Sequence, residues 1–257
     1  MLINFMMDIT TILIISLLFL LISFLYSTVG FGGGSSYLAI LSLFITDFNT
    51  IRTHALLCNI AVVSIGCVIA YRKGFLSLKK AIPYTLFSVP AALLGATFKL
   101  SEKTFFLVLG SALVLSAVAL FFQVVRQVKP LEDRKKVLVR SIPLGAGLGF
   151  LSGMVGIGGG IFLSPVLNLL NWEHTKKIAG IAGFFILVNS IGGIAGLAIS
   201  GTIPVSLPFT ACVLCAVIIG GFAGSMMSMQ LFNALIIKRL TAVLIVVVGV
   251  KLLVEHW

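Results

Sequence analysis

Acidic residues are scarce. The 257-residue chain holds seven Asp and Glu against 18 Lys and Arg, and charged residues of both signs make up only 10% of it. A soluble domain carries roughly 25% charged residues, so there is too little charge here to cover a water-facing surface. All seven acids (Asp8, Asp47, Glu102, Glu132, Asp133, Glu173 and Glu255) fall in loops or at segment ends. No apolar block carries a carboxylate at its centre, which removes the usual seat of a proton or cation relay inside a membrane. A metal-ligand cluster, an intramembrane acid–base pair and a Ser/His/Asp set are also missing, so neither an enzyme nor a metal or other cofactor is expected. The four cysteines (Cys58, Cys67, Cys212, Cys215) lie inside apolar blocks and read as small hydrophobes used in packing. Cys212-x-x-Cys215 has a redox or metal spacing, with no second pair or histidine cluster beside it; a membrane thiol-redox enzyme stays an alternative on that pair alone.

What is abundant is apolar: hydrophobic residues make up 60% of the chain and mean hydropathy is +1.21. They run in blocks of about 18 or more, long enough to cross a bilayer as helices. Disorder, collagen, a disulfide scaffold and a cytosolic enzyme are excluded, and an all-α polytopic membrane protein is expected. The first 25 residues lack a basic leader and a small-residue cleavage site, and read as a retained span. The net charge of +11 does not point to nucleic acid, because the cations sit in short loops between apolar blocks, as in cytoplasmic loops of a multi-pass protein of the cell's inner membrane. The expected partners are the lipid bilayer and a small anion; oligomeric state is not legible.

The chain repeats itself. Val29-Gly30-Phe31-Gly32-Gly33-Gly34 is answered by Val155-Gly156-Ile157-Gly158-Gly159-Gly160, and Ser64-Ile65-Gly66 by Ser190-Ile191-Gly192, at the same offset of 126. With a slip of three, Leu94-Gly95-Ala96 aligns with Ala223-Gly224-Ser225. The expected organisation is a first transmembrane repeat over 1–128, a basic cytoplasmic linker over 129–140 and a second repeat over 141–257, as in many secondary transporters. The first and fifth apolar blocks, near 9–46 and 141–171, are each interrupted by a glycine motif. If each crosses once, eight spans result and the halves are parallel. If each folds back at its glycines, each half has about five helical segments and the halves are inverted. Folding back puts 14 basic residues in the inside loops 71–80, 126–140, 171–178 and 229–239 and four outside. The eight-span alternative gives 11 and seven. The excess of Lys and Arg marks the cytoplasmic side, so two inverted repeats are expected, each opening with a hairpin broken at glycine. Residues 35–46 cover only about 18 Å at the helical rise, which suits a re-entrant half-helix.

Non-helical backbone at membrane depth survives only where it is enclosed in protein or lines a wet cavity. A helix that starts at such a break offers unpaired N–H groups and a partial positive charge, the ingredients of an anion site. The candidates for substrate contact are therefore Gly30, Gly32, Gly33 and Gly34 with the hydroxyls of Ser35 and Ser36, and Gly156, Gly158, Gly159 and Gly160 with Ser164 further along. Gly145-x-x-x-Gly149, Gly192-x-x-x-Gly196 and Gly220-x-x-x-Gly224 read instead as close helix packing.

The paired Val-Gly-x-Gly-Gly-Gly motifs, each opening a half of about 125 residues, resemble the TauE/SafE sulfite exporter family of membrane transporters across essentially the whole chain. The resemblance implies export, and in some members uptake, of sulfite, sulfoacetate, thiosulfate or related small anions. This sequence departs from common members in having Arg52-Thr53-His54 where small residues usually open the next helix.

Asn59, Ser64, Asn189 and Ser190 are further polar candidates, since polar groups in spans face the bundle interior. Tyr26, Ser27 and Thr28 precede the first break and are candidates for closing it. Arg52 and Lys177 stand just before the helix that follows each hairpin, one at each mouth of the path, where a cation concentrates an anion. His54 titrates near neutral pH and is a candidate proton sensor or shuttle. Export fits these residues best; uptake of a similar anion and an anion channel remain the alternatives.

Overall fold

The structure is a computed structural model and describes residues 8–28, 30–98, 100–121, 134–169, 173, 175–201, 203–227 and 234–257. Runs of Leu, Ile, Val and Phe without a polar stripe give helices that are apolar all round, which sit in a protein core or in lipid. The described residues form ten α-helices: α1 (Ile9–Thr28), α2 (Gly34–Phe44), α3 (Phe48–Arg72), α4 (Leu78–Thr97), α5 (Glu102–Phe121), α6 (Arg134–Val155), α7 (Gly160–Leu169), α8 (Thr175–Ile199), α9 (Leu207–Met226) and α10 (Ala234–His256). No strand occurs among them. Helices α1, α3, α8 and α9 are each long and apolar enough to cross a membrane. Leu13, Leu17 and Leu21 on α1, and Ile219 and Phe222 on α9, point outward, an apolar surface of the kind that faces a membrane.

The helix breaks fall on the glycine motifs. Helix α1 ends at Thr28 and α2 starts at Gly34; α6 ends at Val155 and α7 starts at Gly160. Gly30 and Gly156 take φ of 82° and 88°, and Gly33 and Gly159 take 116° and 77°. Residues with a Cβ avoid that region, so a helix cannot run through either motif. Val29 lies outside the described residues. Helix α3 begins at Phe48, several residues ahead of the apolar block that suggested it, because Asp47 caps it: the Thr50 N–H donates to Asp47 Oδ2 at 3.0 Å, one of the free donors of a helix start satisfied. Helix α6 begins at Arg134, so residues 134–140 of the expected linker are helical; their Lys, Arg and Leu are good helix formers.

Small residues set how the helices cross. Gly145, Gly149 and Gly153 of α6 lie so close to α4 that a Cβ on each would overlap the carbonyl oxygens of Tyr84, Ser88 and Ala92. Gly220 and Gly224 of α9 lie the same way on Leu20 and Phe24 of α1, and Gly192 and Gly196 of α8 on Val89 and Leu93 of α4. All three Gly-x-x-x-Gly pairs are thus packing devices that let backbones approach. The crossings are reciprocal: α4 packs on α6 as α9 packs on α1, while α3 packs on α8 and α5 on α10. Gly95 meets the Phe150 carbonyl, and Gly224, its partner under the slip of three, meets that of Phe24, the partner of Phe150.

Replacing Gly149 by Leu should force α4 and α6 apart and destabilise the protein by about 1–3 kcal/mol or more, the usual cost of overpacking. Gly147, two residues away, has open space where a side chain would stand, and Gly147→Leu should be neutral. Thermal melting of the detergent-solubilised variants checks this, and equal melting temperatures would contradict it.

Candidate functional site

Asn59 of α3 joins the two breaks. It is fully buried, and a Cβ on Gly32 would lie 2.7 Å from its Oδ1, while one on Gly34 would overlap its Nδ2. The same Nδ2 donates to the carbonyl of Ile157 in the second break at 3.2 Å. A Cβ on Gly158 would lie 3.2 Å from that Nδ2 and 3.1 Å from Ser190 Oγ. Glycine is needed at these positions because any side chain would displace the amide that bridges the two loops. At Gly160 a Cβ would meet Ile186 and the Ala182 carbonyl of α8.

Each break starts a helix with donors to spare. In α2 the Tyr37 N–H bonds the Gly33 carbonyl at 2.9 Å, which leaves the N–H groups of Gly34, Ser35 and Ser36 without an intrahelical acceptor; no side chain caps this end. In α7 the N–H groups of Phe162 and Leu163 both reach the Gly159 carbonyl, and those of Gly160 and Ile161 precede them. Around these starts, Ser35 Oγ, Asn59 Oδ1 and Ser190 Oγ are buried with no hydrogen-bond partner among the described residues, and so are both amide atoms of Asn189, the residue before Ser190. Each such group costs about 1–3 kcal/mol if nothing meets it. Other hydroxyls near the first break are committed. Tyr26 Oη and Ser36 Oγ share a hydrogen bond of 2.8 Å, Thr28 donates to Leu25 O at 2.6 Å and Tyr37 donates to Gly32 O at 3.2 Å. Tyr26 therefore ties the first turn of α2 to the end of α1.

The structure does not bring Ser64 to the breaks. Its hydroxyl donates back to Ile60 O at 2.6 Å. The reason is register: α3 presents Asn59 and Val63 to Gly32, and α8 presents Ile186 and Ser190 to Gly158. These helices therefore correspond at an offset of 127, one more than the motif offset, and each residue of slip turns the side chain by about 100°. Ser190 matches Val63, not Ser64, and Asn189 matches Val62.

Arg52 is not a cation at an open mouth. It is 1% exposed, its stem lies against Gly156, and Nη2 donates to Ala96 O at 3.1 Å and Gly153 O at 2.9 Å. Both oxygens belong to the last turns of α4 and α6, where carbonyls lack intrahelical partners and the helix dipoles are negative. The guanidinium thus caps two helix C-termini at once. His54 is likewise buried. Its Nδ1 faces Thr50 O at 2.8 Å, so the proton sits there, and Nε2 lies 2.9 Å from Thr210 Oγ1, joining α3 to α9. Lys177 is paired: its Nζ lies 3.4 Å from Glu173 Oε2, and Lys80 holds the other oxygen of the same carboxylate. The neighbouring Lys176, which the sequence did not single out, points elsewhere and lines a cleft.

That cleft of about 100 Å³ leads to the first break, several times the space one water needs. Exposed Lys73 and Lys176 line it together with Phe75 and exposed Gly30, and buried Ser27, Phe31 and Ser225 form part of its wall. Lys176 Nζ sits 5.5 Å from the centroid of the Phe75 ring. Cys67 lines the same cleft and Cys58 is buried in the core, as packing cysteines would be. Cys212 and Cys215 are exposed on α9 instead, which corrects the expectation that all four pack inside. No group of three or more metal-binding side chains occurs among the described residues.

With this geometry in view, the comparisons with known proteins are direct. Residues 15–252 match the family model "Sulfite exporter TauE/SafE". The chain is 32% identical over 250 residues to "Probable membrane transporter protein y4hK" of Sinorhizobium fredii, covering 93% of this chain and 97% of that one. It is 28% identical over 183 residues to "Probable membrane transporter protein MJ0441" of Methanocaldococcus jannaschii, covering 68% and 60%. No solved structure gives a significant match. The chain belongs to the TauE/SafE family of membrane transporters.

Proposed function

We propose that this TauE/SafE transporter carries a small oxyanion, sulfite or an organosulfonate, outward across the cell's inner membrane by alternating access around its two glycine breaks. The observation that carries the reading is the meeting of both breaks at Asn59, beside buried hydroxyl and amide groups that have no partner. An oxyanion brings several acceptor oxygens for those donors and a charge that two helix starts stabilise. The unpartnered Oδ1 atoms of Asn59 and Asn189 accept rather than donate, so the best fit is an anion that bears its own proton or travels with a water.

The reciprocal contacts support an inverted repeat. Contacts in which i meets j and the partner of j meets the partner of i are those of a two-fold axis. Gly30 against Ala179 and Gly156 against Arg52 form such a set. With that axis in the membrane plane, the repeats run oppositely and their equivalent clefts open on opposite faces. Helices α2 and α7 have 11 and 10 residues, about 16 and 15 Å at the helical rise. The hydrocarbon core is about 30 Å, so each is a half-crossing whose glycine start lies near the midplane. The cleft opens between Lys73, just after α3, and Lys176, in the first turn of α8, in stretches that carry the excess of cations expected of the cytoplasmic side. This conformation therefore loads from the cytoplasm, and an anion moving outward gains about 2.3 kcal/mol per 100 mV of inside-negative potential.

A thermal-shift panel on the purified protein tests the reading, since a true ligand stabilises by mass action. Sulfite, sulfoacetate, thiosulfate and taurine are compared with chloride. At least one sulfur oxyanion should raise the melting temperature, chloride should not, and the Ser35→Ala/Ser190→Ala variant should show a smaller shift at the same concentration. A shift equal for chloride and every oxyanion, retained in the variant, would refute it.

A further inference from the structure

Two serine hydroxyls in the cleft have no other use. Ser27, near the end of α1, is 8% exposed and Ser225, near the end of α9, is 9% exposed. Both residues line the cleft, and neither Oγ, each shielded from solvent in this conformation, has a hydrogen-bond partner. The Ser27 carbonyl already accepts the Gly30 N–H at 3.2 Å, so its free group is the hydroxyl. Exposed Lys73 and Lys176 in the cleft's lining favour an anion over a cation.

The counterpart of this place in the other half shows the size of group it holds. At the offsets that relate the packed helices, Ser27 corresponds to Gly153, Ser225 to Ala96 and Ala179 to Arg52. Gly221 meets Ser27 as Ala92 meets Gly153, which fixes this register in three dimensions. In the counterpart the guanidinium of Arg52 lies between the matching positions and donates to the carbonyls of Ala96 and Gly153. A guanidinium is one central atom bearing three heavy atoms, the size of an XO₃ oxyanion, with the opposite charge. The seat that holds the cation offers carbonyl acceptors, whereas the seat in the cleft offers hydroxyl donors. Ala179, ending at its Cβ against Gly30, does not reach into the cleft's seat as Arg52 reaches into its own.

We propose that the space between Ser27 and Ser225 is a subsite for one XO₃-type anion, a sulfite or the head of a sulfonate. In it the substrate pauses before the glycine breaks, and Arg52 fills the matching seat of the opposite path. The subsite deepens the transport reading above and rests on it.

Cys67 is a native reporter, because it lines the cleft and keeps 8% of its surface exposed, whereas Cys58 has none. In a Cys212→Ser/Cys215→Ser background, membrane vesicles with the cytoplasmic face outward are labelled with a membrane-impermeant maleimide, with and without methanesulfonate. Methanesulfonate should slow labelling of Cys67. Ser27→Ala and Ser225→Ala should each raise the concentration needed for half-protection about tenfold, the usual effect of one lost hydrogen bond to a charged group. Ser190→Ala should keep the protection and lose transport. Absence of protection in the wild type, or protection unchanged in the two serine variants, would overturn the subsite. Protection lost only in Ser190→Ala would place the anion directly at the breaks, ending the subsite and sparing the transport reading. Protection lost in the serine variants with transport intact in Ser190→Ala would do the reverse.

Discussion

Asn189→Leu should stop anion transport while the protein melts at or above the temperature of the wild type. Asn189 is completely buried and neither amide atom finds a partner. Such a group costs about 1–3 kcal/mol relative to an apolar residue of similar shape, and a membrane interior offers no water to relieve it. On the transport reading proposed above, a ligand that visits the side chain offsets that cost. In the register that relates α3 to α8, Asn189 matches Val62, which lines the open cleft. On the inverted repeat proposed above it falls on the wall of the opposite path, one residue from Ser190 at the second break. Flux of labelled sulfite into inside-out vesicles, measured beside thermal melting, checks both halves of the expectation. Retained flux would remove Asn189 from the path; loss of flux with loss of stability would make it structural.

Arg52→Ala should cost about 2–6 kcal/mol of stability, since two buried carbonyls lose their donor at about 1–3 kcal/mol each. The guanidinium satisfies Ala96 O and Gly153 O, and a hydrogen bond from a charged donor is worth about 1.5–3 kcal/mol. Removing it leaves the ends of α4 and α6 bare against each other, and removes the stem packed on Gly156. Arg52→Lys should recover only part of the loss, because an ammonium is a point charge on a flexible stem and lacks the planar fork. Melting temperatures in a common detergent give the order wild type, Arg52→Lys, Arg52→Ala. An Arg52→Ala variant that melts with the wild type would contradict the capping role.

The parts of this fold that could be read in the sequence are those governed by residue type alone. A run of three glycines ends a helix at both motifs, whereas the pairs Gly192-Gly193 and Gly220-Gly221 stay helical; both breaks were therefore legible, as were the three Gly-x-x-x-Gly crossings that bring backbones together. What depends on rotation about a helix axis was not legible. One residue of slip between α3 and α8 turns Ser64 away from the first break and puts Ser190 at the second, and Lys177 faces Glu173 while Lys176 lines the cleft. Arg52 was misplaced for a related reason. A charge beside an apolar block reads as interfacial, and only the folded chain shows two helix C-termini converging on Arg52. Cys212 and Cys215 face outward because α9 uses its small residues, Gly220 and Gly224, to meet α1; that choice of face follows from the packing partner and not from the cysteines.

Selenite shares the shape and charge of sulfite and scatters anomalously, so a crystal of the protein grown with it offers the most direct test. The anomalous difference map should show selenium between the two glycine breaks, within hydrogen-bonding reach of Asn59 and Ser190, or between Ser27 and Ser225 in the cleft that leads there. Selenium bound only outside the bundle, with residues 28–36 and 154–162 running as unbroken helix toward lipid, would contradict the account.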